Sequence, residues 1–115
     1  MNPLEITTRD AATGPVVEIF GALDHSTAAD LRALIPTIAL SPGQCLVLDL
    51  GNMDFCDSSG ITALIAARNH AQAAQAGIAL AAVPANTRRV LRIVGLDQIF
   101  TLHPDSDSAT ATATG

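Results

Sequence analysis

The chain has 115 residues with a formal net charge of -5, six Lys plus Arg, 49% hydrophobic residues and 3% aromatic ones. This length suits one compact domain, and the apolar fraction excludes a fully disordered polypeptide while requiring a core of Leu, Ile, Val and Ala. The acidic balance argues against a nucleic-acid backbone as the main partner, and no apolar run reaches the length of a membrane span.

The opening residues "MNPLEITTRD" place Glu5 where a secretory signal would need basic and then apolar residues, so the cytoplasm is the expected location. Residues 4–9 alternate apolar and polar, residues 15–23 are apolar and β-branched, and a turn signal around Gly14 separates them, which predicts a hairpin. After "DHS", the segment "TAADLRALIPTIA" repeats Ala28, Leu31, Leu34, Ile35 and Ile38 at helical spacing, with Thr27 and Asp30 as a capping box. Pro36 must kink that helix or move its last turn.

"SPG" closes this helix, and "QCLVLDL" reads as a central strand covered on both faces. "SSGITALIAARNHAQAAQAG" predicts a long helix burying Ile61, Leu64, Ala67, Ala71 and Ala74, with His70 on its solvated side and Gly77 as its stop. "IALAAV" predicts another buried strand. Pro84 then opens "ANTRRVLRIVG", a helix with Val90, Leu91 and Val94 inward, Arg88 and Arg92 outward, and Gly95 at its end. "QIFTL" supplies a last strand. The expected organisation is one domain over residues 1–103, followed by a disordered low-complexity tail over 104–115, "PDSDSATATATG".

Strands alternating with helices imply an α/β fold: a mixed, mainly parallel sheet with an N-terminal hairpin and helices packed on it. Sites in such sheets form beyond the carboxyl ends of the strands. "MDFCDSSGITAL" (53–64) lies at such a junction. On the residues alone, Asp57 or Ser58 reads as an N-cap worth ~1 kcal/mol. A phosphorylation site is the second reading, and both can hold for one serine. A hydrolase nucleophile is disfavoured: "DSSG" lacks the glycine two residues before the serine, and His25, His70 and His103 are far apart. No enzyme activity, cofactor or metal is expected. Cys45 and Cys56 have neither zinc nor redox spacing and read as two buried thiols. Arg88, Arg89 and Arg92 read as a solvated face.

The order of "GALDHSTA", a buried "LVLDL", "MDFCDSSG" and "VLRIVGLDQIF" over about residues 4–103 resembles the STAS-domain anti-sigma factor antagonists. The resemblance implies a STAS fold. It further implies phosphorylation at Ser58 by a partner anti-sigma factor, a serine kinase with a histidine-kinase-like ATPase fold. The unphosphorylated protein would bind that kinase and release a sigma factor, and a PP2C-type phosphatase would restore it. The partner surface is then expected on Asp24, His25, Ser26, Asp57, Ser58, Ser59, Gly60 and Ile61. Two departures exist: Cys56 where relatives often have Met, and Ala22 for a common acidic residue. The alternative is a STAS module acting as a scaffold or as the small cytoplasmic subunit of a lipid transporter. The expected physics of the switch is an added charge of about -1.5 to -2, accommodated locally by backbone N–H groups while the interface suffers a desolvation penalty.

Overall fold

A computed structural model describes residues 4–110. Strands β1 (Glu5–Ala11) and β2 (Gly14–Leu23) form the expected hairpin, in antiparallel register from Glu5 opposite Phe20 to Ala11 opposite Gly14. Strands β3 (Cys45–Cys56), β4 (Gly77–Ala81) and β5 (Thr101–His103) complete a sheet of order β1-β2-β3-β4-β5 in which β2 to β5 run parallel. Helices α1 (Ala28–Leu34), α2 (Ser58–Ala73) and α3 (Ala85–Ile93) make the crossovers. A short helix, α4 (Ser106–Ala109), follows β5.

Neighbouring strand residues divide between two buried clusters. Val17, Leu48 and Leu80 join Leu31, Leu64 and Leu91 of the three crossover helices, whereas Val16, Val47, Ala79 and Ala81 form a second cluster with Ala109. This period of two is the signature of strands covered on both faces, as their near-continuous apolar sequence requires.

Several elements differ from the sequence expectation. α1 stops at Leu34, and Ile35–Thr37 continue as a 3-10 turn with Pro36 near its start, so the proline moves the last turn. Thr27 occupies the N-cap position without a side-chain cap bond, because its hydroxyl is drawn to the Ala22 carbonyl at 2.7 Å. The capping box with Asp30 is therefore not formed. α2 ends before Gly77: Ala74 is the C-cap and Gln75 takes the left-handed conformation (φ 59), while Gly77 already donates to the Gln44 carbonyl as β4 begins. His70 is half-buried, with Nε2 2.8 Å from the Ile38 carbonyl, rather than solvated.

On α3 the inward side chains are Thr87 and Leu91, whereas Val90 and Val94, expected inside, are exposed. Gly95 does terminate the helix region in the left-handed conformation (φ 80). Beyond it, Leu96–Gln98 form a 3-10 turn, so the last strand is shorter than "QIFTL" suggested.

The segment after residue 103 also departs from the disordered tail expected there. Asp105 caps α4 by accepting from the Ser108 N–H at 2.7 Å, and Ala109 is buried against the face of the sheet opposite the three crossover helices. A methyl group small enough to sit on Val16, Val47 and Ala79 supplies the burial that composition alone did not reveal. Residues 111–115 of the expected tail lie outside the described residues. No helix among the described residues is long and apolar enough to cross a membrane.

Candidate functional site

β2 ends at Leu23 and β3 at Cys56, and these two residues pair in the parallel ladder. Their connections to α1 and α2 therefore leave the sheet side by side. Two register shifts, between Glu18 and Phe20 and between Gly21 and Ala22, carry the pairing through "GNMDFC", beyond the "QCLVLDL" run expected as the strand.

Asp57 ties the two connections together. Its backbone is extended (φ -99, ψ -169), and Oδ1 accepts from Ser59 N at 2.8 Å and Gly60 N at 3.2 Å, capping α2. Its Oδ2 accepts from the His25 N–H at 3.1 Å, and its own N–H donates to the Leu23 carbonyl at 3.2 Å. One carboxylate thus caps its own helix and holds the loop after β2.

That loop is organised by Asp24. Its Oδ1 accepts from Ser26 N at 2.9 Å, from Ser26 Oγ at 2.8 Å and from Thr27 N at 3.1 Å. The Ser26 hydroxyl, followed by backbone and side-chain donors of Ser26 and Thr27, holds the Asp24 carboxyl below its ordinary range against the opposing effect of burial. Asp24 is therefore an ionised turn residue of the kind that stabilises an Asx turn.

Of the residues expected at a partner surface, His25, Ser26 and Ser58 are exposed, and Asp24, Asp57 and Ser59 are half-buried. Gly60 and Ile61 are buried. Gly60 acts by having no side chain: a Cβ there would stand 2.6 Å from Cys56 Sγ, 2.7 Å from the Leu23 carbonyl oxygen and 3.0 Å from Leu23 Cγ. It lets the first turn of α2 sit directly on the end of β2 and presents nothing to a partner. Ile61 belongs to the core cluster but leaves an edge in a surface groove.

That groove, of about 500 Å³, runs between α2 and α3. Ile61, Ile65, Val90, Val94 and Leu96 make it apolar, with Cys56, Asp57 and Ser58 at one end. The sequence reading missed it because Val90 and Val94 were placed in the core. Within it, burial and then the neighbouring Asp57 carboxylate push the Cys56 thiol up to about 11, so the thiol stays protonated at neutral pH.

The serine at the first helical position, Ser58, is exposed while its backbone is fixed, with its carbonyl accepting from Thr62 Oγ1 at 3.0 Å. The next two N–H groups are already taken by Asp57. An anion on Ser58 would not find those donors free, contrary to the expectation that backbone N–H groups would cradle it.

The family model described as "Mlab, STAS domain" matches residues 6–103. A STAS-domain containing protein of Pseudomonas aeruginosa (strain UCBPP-PA14) is 31% identical over 99 residues, covering 84% of this chain and 97% of that protein. Among solved structures, an anti-sigma factor antagonist from Mycobacterium paratuberculosis is similar with a TM-score of 0.79 and 28% identity, over 92% of this chain and 90% of that one. A sulfate transporter family protein from Wolinella succinogenes shares the fold with a TM-score of 0.75 at 17% identity, over 89% of this chain and 85% of its own.

Proposed function

The chain belongs to the STAS domain family, and on that premise we propose that it is an anti-sigma factor antagonist and a binding protein rather than an enzyme. Unphosphorylated, it binds an anti-sigma factor serine kinase in the cytoplasm and so releases a sigma factor. Phosphorylation at Ser58 switches it off, and a PP2C-type phosphatase restores it.

The observation that carries this reading is the setting of Ser58. Its side chain is exposed at the head of α2, its backbone is fixed, and the Asp24–Ser26 loop lies beside it through the His25–Asp57 bond. Likeness to an anti-sigma factor antagonist at 28% identity supports a protein partner of that class. Because a phosphate on Ser58 has Asp57 beside it and the nearest helix amides are occupied, its charge of about -1.5 to -2 faces the partner, where desolvating it is costly. The domain stays folded while the contact is lost.

The test is to incubate the chain with candidate anti-sigma factor kinases and ATP and to locate phosphate by mass spectrometry. Ser58→Ala should remain folded and binding-competent and take up no phosphate. Transfer to Ser58→Ala at the wild-type level would move the site, with Ser59 the first rival. A second reading follows from the fold shared with a transporter family protein, since one fold hosts several functions. It is a STAS module serving as a scaffold or as the small cytoplasmic subunit of a lipid transporter. Co-purification with transporter components, without phosphate transfer by any kinase, would select it.

A further inference from the structure

The sheet order leaves β1 and β5 as its edges, and the two are unlike. β5 has three residues, a short edge that resists further pairing, whereas β1 runs for seven. The turn Ala12–Thr13 is closed by Ala11 opposite Gly14, and the closing pair of a two-residue hairpin exchanges backbone hydrogen bonds. Counting back from Ala11 in steps of two, Arg9, Thr7 and Glu5 turn their N–H and C=O groups towards β2, and Asp10, Thr8 and Ile6 turn theirs outward. Among the described residues β1 pairs with β2 alone, so those outward groups meet no other backbone. The side chains of Glu5, Thr7 and Arg9 share one face of the strand and are exposed. Arg9 holds Glu18 through Nε at 3.4 Å and Ser106 Oγ through Nη2 at 3.3 Å, which leaves Nη1 without a partner among the described residues.

We propose that β1 pairs antiparallel with β1 of a second copy of this chain, about a two-fold axis at Thr7. Outward groups must meet outward groups, so Ile6 exchanges its bonds with Thr8 of the second copy and Thr8 with that copy's Ile6. Thr7 then faces Thr7, and Glu5 faces Arg9 of the other copy, once on each side of the axis. The other registers that match outward groups slide by two residues and set Glu5 against Thr7 or Ala11, with no charge pair. Charges on an edge strand ordinarily keep copies apart. Here the order Glu5, Ile6, Thr7, Thr8, Arg9 is complementary in charge to its own reverse, as an isologous contact requires, and this selects a second copy over a foreign extended segment. β3, which leads into Ser58, lies two strands in from this edge, so the dimer is independent of the switch at Ser58.

Sedimentation velocity of the full chain from about 10 µM to 1 mM tests this. A ladder this short makes a small interface, so the dimer should be reversible within that range. Glu5→Arg should weaken it by about tenfold, because both facing pairs become alike in sign. Arg9→Glu should weaken it similarly, and an equimolar mixture of the two variants should associate again, since every facing pair is then opposite in sign. Thr8→Pro removes an outward N–H that takes no part in the β1–β2 ladder, so it should abolish the dimer while leaving the circular dichroism unchanged. Under oxidation Thr7→Cys should cross-link above the parent's level, because facing Cβ atoms across the axis stand about 4.5–5.5 Å apart, whereas Glu5→Cys, away from the axis, should not. A parent chain that stays monomeric throughout, a dimer indifferent to Glu5→Arg, a mixture that does not associate, or equal cross-linking of Thr7→Cys and Glu5→Cys would each overturn the proposal. Should Thr8→Pro unfold the chain, the charge variants and the cross-link still decide it.

Discussion

Replacing Gly60 with Ala sets two effects of opposite sign against each other. In an open helix, Gly to Ala stabilises by about 1 kcal/mol. Here the added methyl would meet the Leu23 carbonyl oxygen at 2.7 Å and Cys56 Sγ at 2.6 Å, both well inside ordinary contact. Overpacking of this kind costs about 1–3 kcal/mol, and the oxygen belongs to backbone held in the β2–β3 ladder, so relief by a side-chain rotation is limited. With the carbonyl unable to turn away, the steric effect should fall in the upper part of its range and win, with a net loss of up to about 2 kcal/mol, or up to roughly 8 °C in Tm for a domain of this size. Relaxation would push α2 away from β2 and stretch the 3.2 Å bond from Asp57 N to Leu23 O, so partner binding should weaken as well. Thermal and urea unfolding followed by circular dichroism measure the loss. Adding Cys56→Ala separates the causes: it removes the sulfur contact but not the carbonyl one, and should restore only part of the stability. A Gly60→Ala chain as stable as the parent, or fully rescued by the second change, would refute the argument that this glycine is held by backbone approach.

Asp57→Ala should cost about 1–2 kcal/mol in urea unfolding through loss of the α2 cap, while Asp57→Asn, which keeps the capping oxygen but turns an NH2 group towards the His25 N–H, should recover only part of that loss. A chain ending at His103 should melt several degrees below one ending at Thr110, since it removes Ala109 from the sheet face and uncovers Val16, Val47 and Ala79, with about 1 kcal/mol lost for the methyl alone. The thiol of Cys56 is raised in the folded state from 9.0 to about 11, so its contribution is fully present below pH 9 and is lost as the pH rises towards 11. Discounted for partial exposure, Cys56→Ala should remove about 1 kcal/mol of that alkaline destabilisation, measured as urea midpoints from pH 8 to 11. Cys45, whose thiol is raised by burial, keeps a residual slope of the same sign.

What the sequence determined by itself is what depends on a few neighbouring residues. The alternation in "LEITTR" and the β-branched run after Gly14 specify a hairpin, "LVLDL" specifies a strand covered on both faces, and Asp57 before "SSG" specifies a helix start, because each reports a local backbone preference or a short-range cap. The chain order of these pieces then fixes a mainly parallel sheet with neighbouring loops at its carboxyl end. What only the tertiary structure decided depends on residues far apart in the chain. A helical period in "TRRVLRIV" shows that α3 has apolar stripes, but the sheet selects Thr87 and Leu91 for burial and leaves Val90, Ile93 and Val94 outside. Asp57 looks like a cap from its neighbours, yet its second oxygen holds His25, 32 positions earlier, because β2 and β3 end in register. Gly60 reads as an ordinary member of "DSSG" until Leu23 is seen to occupy the place of its missing methyl. Periodicity and capping are sums over one helical turn or one strand repeat, whereas a groove, a close approach or a shared carboxylate exists only once distant segments have been brought to the same place.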